Sequence, residues 1–234
     1  MMVTVIFDLD DTLYDRTQPL RKAFLHFEPA NGLSFDKFLS IFTKNSDIAF
    51  DRVQAGHWTL AESHIFRIKE TLHEMGISIS DVQAHAFQTA YKNSQHHIEV
   101  HPFIIEILDF LREKKILTLI LTNGPSAHQR SKIKSLGLGP YFKHNQIIVS
   151  EEEGIVKPDR RIFELAEKRF NFDKKQAWYI GDSYQNDMIG AYNAGWNSIW
   201  FHKDSLHKDN PSILPTKTVS STLELKTLLI DLCK

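Results

Sequence analysis

Short runs of apolar residues without polar alternation recur along the chain and predict buried strands. The first is Val3–Phe7 (VTVIF), which consists entirely of β-branched and aromatic residues. A run with no alternating polar position is typical of a strand covered on both faces, as in a parallel sheet. Similar runs predict four more strands, at Ile116–Leu121, Gln146–Val149, Ala177–Ile180 and Ser198–Phe201.

Between these runs, apolar residues spaced three and four positions apart predict helices. Pro102–Lys114 is the clearest case, because Phe103, Ile107 and Leu111 share one helical face and proline favours the first turn. Other helices are predicted at Ser126–Leu136, Asp159–Phe170, Tyr184–Ala194 and Thr222–Leu232, and a surface loop at Lys203–Thr218. Strands that alternate with helices predict an α/β fold with a Rossmann-like, doubly wound parallel sheet.

Residues 16–97 interrupt this alternation. The segment offers no convincing strand and is typical of several amphipathic helices. Its aromatic residues are predicted to fill the core of a helix bundle: Phe24, Phe27, Phe35, Phe38, Phe42, Phe50, Trp58 and Phe66. The sequence therefore predicts an α/β core domain, residues 1–15 and 98–234, and an inserted all-helical domain, residues 16–97.

The amino-acid composition limits the classes of binding partner that are expected for this chain. The 234 residues include 28 basic and 29 acidic ones without a basic block, so a nucleic-acid partner is not expected. No apolar stretch approaches the ~20 residues of a membrane span, and no signal peptide is evident, so no membrane partner is expected. A single cysteine, Cys233, argues against a disulfide framework and favours the cytoplasm. Monomer and homodimer both stay open.

Candidate chemistry begins with the stretch IFDLDDTLYD, residues 6–15. Four carboxylates, those of Asp8, Asp10, Asp11 and Asp15, follow directly on the first predicted strand. Clustered negative charges repel one another, so stability alone does not favour such a stretch. Asp11 is predicted to hydrogen-bond the turn and Asp15 to lie at a hinge, which leaves Asp8 and Asp10 as the functional pair.

Other predicted strands also lead to polar side chains. Thr122 and Asn123 follow the second strand, Lys157 lies in the loop after the third, and Asp182 and Asp187 follow the fourth. In a parallel α/β sheet the ligand site lies beyond the carboxyl ends of the strands. These groups are therefore expected to surround one crevice.

This set of groups favours phosphoryl transfer. Mg²⁺ prefers carboxylate, water and phosphate oxygens, and would relieve the repulsion between Asp8 and Asp182. Asp8 could then act as a nucleophile that forms an aspartyl-phosphate, and Asp10 as the general acid and base. The Thr122 hydroxyl, the Asn123 backbone N–H and Lys157 would bind the phosphoryl oxygens.

The order of these motifs resembles the haloacid dehalogenase (HAD) superfamily. That family has Asp-x-Asp-x-Thr after an apolar strand, matched by Asp8–Thr12, and a Thr or Ser ending a later strand, matched by Thr122. Its third motif is a Lys often followed by Pro, matched by Lys157. Its fourth is Gly-Asp-Ser with a second Asp, matched by GDSYQND, which contains Asp182 and Asp187. The helical insertion occupies the place of the family's first type of cap.

The resemblance implies specific roles. Asp8 would be nucleophile and metal ligand, Asp10 the acid/base whose carbonyl also reaches the metal, and Asp182 a direct Mg²⁺ ligand. Asp187 lies five residues after Asp182, whereas many members show four, so Asp187 could bind the metal directly, bind it through water, or only orient Lys157. Cap residues that could contact a substrate are Arg16, Arg52, His57, Trp58 and Arg67.

The second acid favours the phosphatase branch, because the dehalogenase branch lacks an acid at the position of Asp10. The predicted substrate is a small phosphorylated metabolite, with a nucleotide or flavin mononucleotide as leading examples. The alternatives are a 2-haloacid dehalogenase or phosphonate hydrolase on the same fold, and a non-catalytic protein that binds a phosphorylated ligand. A zinc site at His96, His97 and His101 is not expected, and Glu151–Glu153 are expected in a solvated loop that could help to position Lys157.

Overall fold

The computed structural model describes residues 3–95, 97–202, 213 and 215–233. The chain divides into two compact units. One, the core unit, comprises Met1–Arg16 and Glu99–Lys234, and the other, the helical unit, comprises Thr17–Ile98. Both boundaries lie one residue beyond the predicted ones. Within the described ranges, no helix is both long and apolar enough to cross a membrane.

The core unit contains a six-stranded sheet in which every neighbouring pair is parallel. Its strands are β1 (Thr4–Phe7), β2 (Leu117–Thr122), β3 (Ile147–Val149), β4 (Ala177–Gly181), β5 (Asn197–Phe201) and β6 (Lys217–Val219). Their order across the sheet is β3-β2-β1-β4-β5-β6. This is the doubly wound Rossmann order, so the predicted fold class is confirmed.

The sheet order determines where a ligand can bind. The chain winds from β1 towards β3 on one side and from β4 towards β6 on the other, so the direction reverses between β1 and β4. Phe7, the last residue of β1, is level with Ile120 of β2 and Ile180 of β4. The residues that follow these positions therefore emerge at one edge, beside the switch point where α/β proteins bind ligands.

The described residues of the core unit include six α-helices: α5 (Pro102–Glu113), α6 (Ser126–Ser135), α7 (Ser150–Glu153), α8 (Arg160–Phe170), α9 (Ile189–Ala194) and α10 (Thr222–Leu232). One face of the sheet, which includes Ile6 and Leu119, shares a buried cluster with Ile162 and Phe163 of α8. Gly190 is needed in α9 because a Cβ there would lie 2.6 Å from the Phe163 ring. This close packing fixes the helices that flank β4.

Two local predictions were wrong, and the helix predicted at Tyr184–Ala194 is present but is not α-helical throughout. Residues 217–219 form the edge strand β6, whereas the predicted loop extended to Thr218. Lys217 and Thr218 are exposed, so the sequence lacks the apolar run of a buried strand there. Most of the predicted loop lies outside the described residues. The helix predicted from Tyr184 begins with a π-helical turn, Tyr184–Met188, before α9. Glu151–Glu153 lie in α7, where Glu152 pairs with Arg130 and Glu153 with Arg169 instead of positioning Lys157.

The helical unit contains α1 (Gln18–Leu25), α2 (Phe35–Gln54), α3 (Leu60–Glu74) and α4 (Asp81–Ser94). Capping boxes begin α3, at Thr59 with Glu62, and α4, at Ser80 with Gln83. Such caps satisfy backbone N–H groups that the helix itself leaves without partners. The absence of strands from the described part of this segment agrees with its prediction as all-helical.

The predicted aromatic core of the helical unit is correct in part. Of the predicted rings, Phe24, Phe35, Phe38 and Phe42 are buried in a shared cluster and Phe27 is partly buried; Phe87, which was not predicted, belongs to the same cluster. Phe50 is 61% exposed, and Trp58 and Phe66 pair with each other outside the buried cluster. Arg67 donates to Gln88 and lies over the rings of Phe42 and Tyr91, so this candidate substrate contact has partners inside its own unit.

Candidate active site

A buried lysine joins two acids that the sequence keeps far apart. Lys157 is 4% exposed, and its ammonium donates to Asp8 Oδ1 at 2.7 Å and to Asp187 Oδ1 at 2.6 Å. A third hydrogen bond, of 2.8 Å, runs to the Tyr179 hydroxyl, which in turn donates to the backbone carbonyl of Leu121. All three ammonium hydrogens therefore have acceptors, as a buried charge requires.

The loop that carries Lys157 is held by Asn123. The Asn123 amide donates to the Lys157 carbonyl at 3.0 Å, and its oxygen accepts from the Lys157 N–H at 2.9 Å. Asn123 follows β2 directly, so this pair of bonds ties the loop after β3 to the neighbouring strand. The side chain of Asn123 thus fixes the backbone from which the lysine reaches Asp8.

The turn after β4 brings Asp187 next to Lys157. Asp187 is fully buried, and its Oδ2 accepts from the Ser183 N–H at 3.0 Å. The π-helical turn widens the chain here, and such turns add one residue to a helical turn. The extra residue accommodates the five-residue step from Asp182 to Asp187. Gly181 is required beside it, because a Cβ at Gly181 would lie 2.2 Å from Asp187 Oδ2.

Asp8, Asp182 and Asp187 form a cluster that could hold a metal ion. Each offers one carboxylate oxygen, and these oxygens all lie within 4.8 Å of one another. Oxygen donors of this kind suit Mg²⁺ or Ca²⁺ rather than a softer metal. Within the described residues this is the one group of three or more such side chains close enough to share a metal ion, and His96 lies outside those residues.

The electrostatics of the cluster favour a cation. Burial raises the pKa of Asp8 to about 7, an effect that Lys157 reduces and the neighbouring Asp187 strengthens. Burial also raises the pKa of Asp182 to about 6, with the charges of Asp11 and Asp187 adding to the shift. Two carboxylates that are costly to ionise at the same edge are stabilised by a nearby positive charge. The residues present therefore fit a divalent cation.

These raised pKa values predict how stability of the metal-free protein depends on pH. A carboxyl group whose pKa is higher in the folded protein stabilises the fold at low pH, and this contribution is lost as the pH rises through the folded pKa. The pH range over which stability is lost runs from 3.8 to about 7 for Asp8, and from 3.8 to about 6 for Asp182. We expect Asp182→Asn to remove part of this loss.

The measurement is thermal unfolding in chelator at about pH 5 and about pH 8, for the wild type and for Asp182→Asn. The wild-type melting temperature should fall more between the two pH values than that of the variant. An equal fall in both proteins would contradict the assignment of a raised pKa to Asp182.

Asp10 lies in a separate polar network. Its carboxylate accepts from Lys132 at 2.7 Å and 2.9 Å, one bond to each oxygen, and from Gln129 at 3.0 Å. The Tyr14 hydroxyl donates to it as well. Burial by itself would raise the pKa of Asp10, but the Lys132 charge and these hydrogen bonds outweigh burial and lower it. The Asp10 side chain is not part of the acidic cluster.

Thr122 is connected to that network. The hydroxyl of Thr122 is buried and accepts from Gln129 Nε2 at 2.7 Å. Because Gln129 supplies the donor in this bond, the hydrogen of the Thr122 hydroxyl remains available for another acceptor. Gln129 therefore links the predicted acid/base to a predicted phosphoryl-binding group.

The turn after β1 explains Asp11, a third acid of the opening stretch. Asp11 has a positive φ of 55°, accepts from the Arg16 N–H at 3.0 Å and pairs with the Arg16 guanidinium. Asn and Asp tolerate this left-handed conformation better than most residues do. The predicted role of Asp11 in the turn is confirmed, and Arg16 pairs with it.

Of the predicted site residues, the structure brings Asp8, Lys157, Asp182 and Asp187 together and places Asp10 and Thr122 around Gln129. The carbonyl of Asp10 as a metal ligand and the Asn123 N–H as a phosphoryl donor stay predictions. Sequence reasoning missed four polar side chains that touch these residues: Tyr14, Gln129, Lys132 and Tyr179. The spacing of Gln129 and Lys132, three residues apart in a helix just after Thr122, was the available signal.

Known proteins resemble this chain in sequence. A pyrimidine 5'-nucleotidase of Escherichia coli, YjjG, is 36% identical over 130 residues, which are 55% of this chain and 56% of that protein. The match therefore spans little more than half of that relative. A glyceraldehyde 3-phosphate phosphatase of Pyrococcus abyssi is 28% identical over 205 residues, 86% of this chain and 82% of that protein.

The fold also matches solved structures. The HAD-hydrolase YfnB of Bacillus subtilis, solved with bound magnesium, is 26% identical and aligns with a TM-score of 0.65 over 97% of this chain and 98% of its own. The family model described as haloacid dehalogenase-like hydrolase matches residues 2–195. Its span includes both the predicted motifs and the helical insertion. The chain belongs to the haloacid dehalogenase-like hydrolase family.

Proposed function

We propose that this chain is a Mg²⁺-dependent phosphatase that hydrolyses a small phosphomonoester through an aspartyl-phosphate on Asp8. The observation that carries the proposal is the meeting of Asp8, Lys157 and Asp182 at the switch point, with a second carboxylate, Asp10, on the same turn. The nucleotidase and phosphatase relatives support this reaction class.

Asp8 is the proposed nucleophile. Lys157 holds Asp8 Oδ1, so the second oxygen is the one available to attack phosphorus. As the new P–O bond forms, the bond from phosphorus to the leaving oxygen breaks. The buried hydrogen bond from Lys157 restrains the orientation of the nucleophile, which reduces the entropy lost on reaching the transition state.

Asp10 is the proposed acid and base. In the first step Asp10 gives a proton to the leaving alkoxide, and it must acquire that proton although Lys132 and its hydrogen bonds lower its pKa. The negative charge of a bound phosphate raises the pKa of a neighbouring carboxyl group, which favours this protonation. In the second step the Asp10 carboxylate takes a proton from water, and the water oxygen attacks phosphorus, which releases inorganic phosphate and regenerates Asp8. Atoms and charge balance over the two steps, and Asp10 returns to its protonated form.

Three groups are proposed to act on the phosphoryl oxygens: the Thr122 hydroxyl and the Asn123 backbone N–H as hydrogen-bond donors, and the Lys157 ammonium through its positive charge, since its three hydrogens already have acceptors. Preorganised donors of this kind stabilise the charge of the transferring group. Mg²⁺, held by Asp8, Asp182 and the Asp10 carbonyl, would supply positive charge that lets the nucleophile approach an anionic phosphate. We assign Asp187 to orienting Lys157, since both its oxygens already accept hydrogen bonds.

The dehalogenase alternative is less well supported. Displacement of halide leaves an anion that needs no proton, so that reaction gives no role to Asp10. A non-catalytic binder of phosphorylated ligands likewise needs no second acid. Release of halide from a 2-haloacid, without phosphate from any phosphoester, would favour the first alternative.

The substrate is proposed to be a small phosphorylated metabolite, with nucleoside monophosphates tested first because YjjG is a pyrimidine 5'-nucleotidase. Flavin mononucleotide and three-carbon sugar phosphates follow, the latter because of the Pyrococcus phosphatase. The helical unit is proposed to select among them.

The test is phosphate release from a panel of such esters, with Mg²⁺ and with chelator. We expect turnover with Mg²⁺ and its loss with chelator, and Asp10→Asn should lower kcat/KM for alkyl esters by ~10²–10⁴-fold. The control is Asp173→Asn, which changes a carboxylate that caps the short turn before β4. Unchanged turnover in Asp10→Asn would contradict the acid/base role.

A further inference from the structure

Two side chains of α6 contact Asp10 although neither belongs to the proposed catalytic set. Lys132 donates to both oxygens of the carboxylate, and Gln129 donates to Oδ2. Lys132 also donates to Gln129 Oε1 at 2.8 Å. A carboxylate held at both oxygens cannot rotate without breaking these bonds, so the two residues fix the orientation of Asp10.

The same pair connects Asp10 to the phosphoryl-binding end of β2. Gln129 is 1% exposed, and its Nε2 lies 2.7 Å from Thr122 Oγ1 as well as 3.0 Å from Asp10 Oδ2. The amide of Gln129 thus sets the distance between Thr122, which is proposed to bind a phosphoryl oxygen, and Asp10, which is proposed to protonate the leaving oxygen. Proton transfer is sensitive to such spacing, because the donor must lie within hydrogen-bond reach of the leaving oxygen.

The position of Lys132 on its helix distinguishes it from its neighbours. The Lys132 side chain is 17% exposed, whereas Lys134, two residues on, is exposed. Residues three apart share a helix face, and those two apart do not. Lys132 and Gln129 therefore point the same way, towards Asp10, and Lys134 provides a matched control on the same helix.

We propose that Lys132 and Gln129 are positioning residues that hold Asp10 in place for proton transfer to the leaving group. The inference rests on the proposed function and adds two residues to it. A residue that acts through the general acid matters most when the leaving group needs a proton. An alkoxide needs one, whereas 4-nitrophenolate is a stable anion that leaves without protonation.

The experiment measures kcat/KM, which reports the first phosphoryl transfer, with 4-nitrophenyl phosphate and with the best-hydrolysed alkyl phosphate of the panel. The proteins are the wild type, Lys132→Met, Asp10→Asn, the double variant and Lys134→Met. We expect Lys132→Met to lose ~10–100-fold on the alkyl ester and less than ~3-fold on the aryl ester. Lys134→Met should match the wild type on both.

The double variant tests whether Lys132 acts through Asp10. If it does, Lys132→Met causes no further loss once Asp10 is Asn, because the residue it positions no longer transfers a proton. Lys132→Arg, which keeps the charge and the donors, should recover part of the alkyl-ester activity. Gln129→Met should show the same preference for the aryl ester, so the test survives if one variant fails to fold.

Three results would overturn the inference. Equal losses on both esters would indicate that Lys132 binds the phosphoryl group itself, additive losses in the double variant would place it on an independent step, and no loss would make it structural. If the wild type released phosphate from neither ester, the proposed function would fail as well. If the wild type turns over and any of the three results is found, the inference about Lys132 and Gln129 is overturned but the proposed function is not.

Discussion

Replacing Asp8 by asparagine is expected to lower phosphatase turnover by at least ~10⁴-fold, as loss of a covalent nucleophile does in other enzymes. The amide is close in size to the carboxylate but is a poor nucleophile. It also forms no acyl-phosphate under these conditions. The measurement is steady-state phosphate release with Mg²⁺ present.

The fold should survive this change. Asparagine keeps an oxygen that accepts from Lys157, and Asp8 itself is costly to bury as an anion, since burial raises its pKa to about 7. We expect the thermal midpoint of Asp8→Asn to match or exceed that of the wild type. Metal-dependent turnover that survives in the variant would contradict the nucleophile assignment.

Replacing Lys157 by methionine is expected to destabilise the protein by about 3–5 kcal/mol as well as to abolish activity. The lysine is the cation between the buried carboxylates of Asp8 and Asp187. Burial alone would lower the pKa of Lys157, but the charges of Asp187 and Asp8 outweigh it and raise the pKa. Without the lysine the two acids, both buried, repel each other without a compensating charge between them.

The control is Lys168→Met, which removes an exposed lysine from α8. The loss in Lys157→Met should be smaller at about pH 5 than at about pH 8, because protonation of one acid relieves the repulsion. Chemical denaturation at the two pH values measures this. A loss of stability in Lys157→Met no larger than that of the control would show that the buried ion pairs contribute little.

Much of the fold could be predicted because parallel strands buried on both faces produce continuous apolar runs. The sequences of β1, β2 and β4 are runs of this kind, and a polar residue of the candidate site stands at or directly after the end of each strand. β6 could not be recognised, because two of its three residues are exposed at the sheet edge. The π-helical turn was hidden as well, since its one-residue insertion leaves the helical pattern of Tyr184–Ala194 almost unchanged.

The sequence predicted those residues of the candidate site that belong to a motif whose residue types indicate a chemical role. Asp8 and Lys157 lie 149 residues apart, yet each stands at a strand end or loop that the topology brings to one edge. Tyr179 was missed because an aromatic residue within an apolar strand is indistinguishable from core. Lys132 was missed because α6 carries several cations, and only the folded helix reveals which of them faces Asp10.

The central claim is that turnover passes through a phosphorylated Asp8, and identifying that residue tests it most directly. The wild type would be mixed with the best-hydrolysed substrate and Mg²⁺, quenched in acid, and reduced with borohydride, which converts an aspartyl-phosphate to homoserine. Mass spectrometry of the peptide that spans Asp8–Asp15 should then find homoserine at position 8 and unmodified aspartate at Asp10. Unmodified Asp8 during steady turnover, or modification at another residue, would contradict the mechanism.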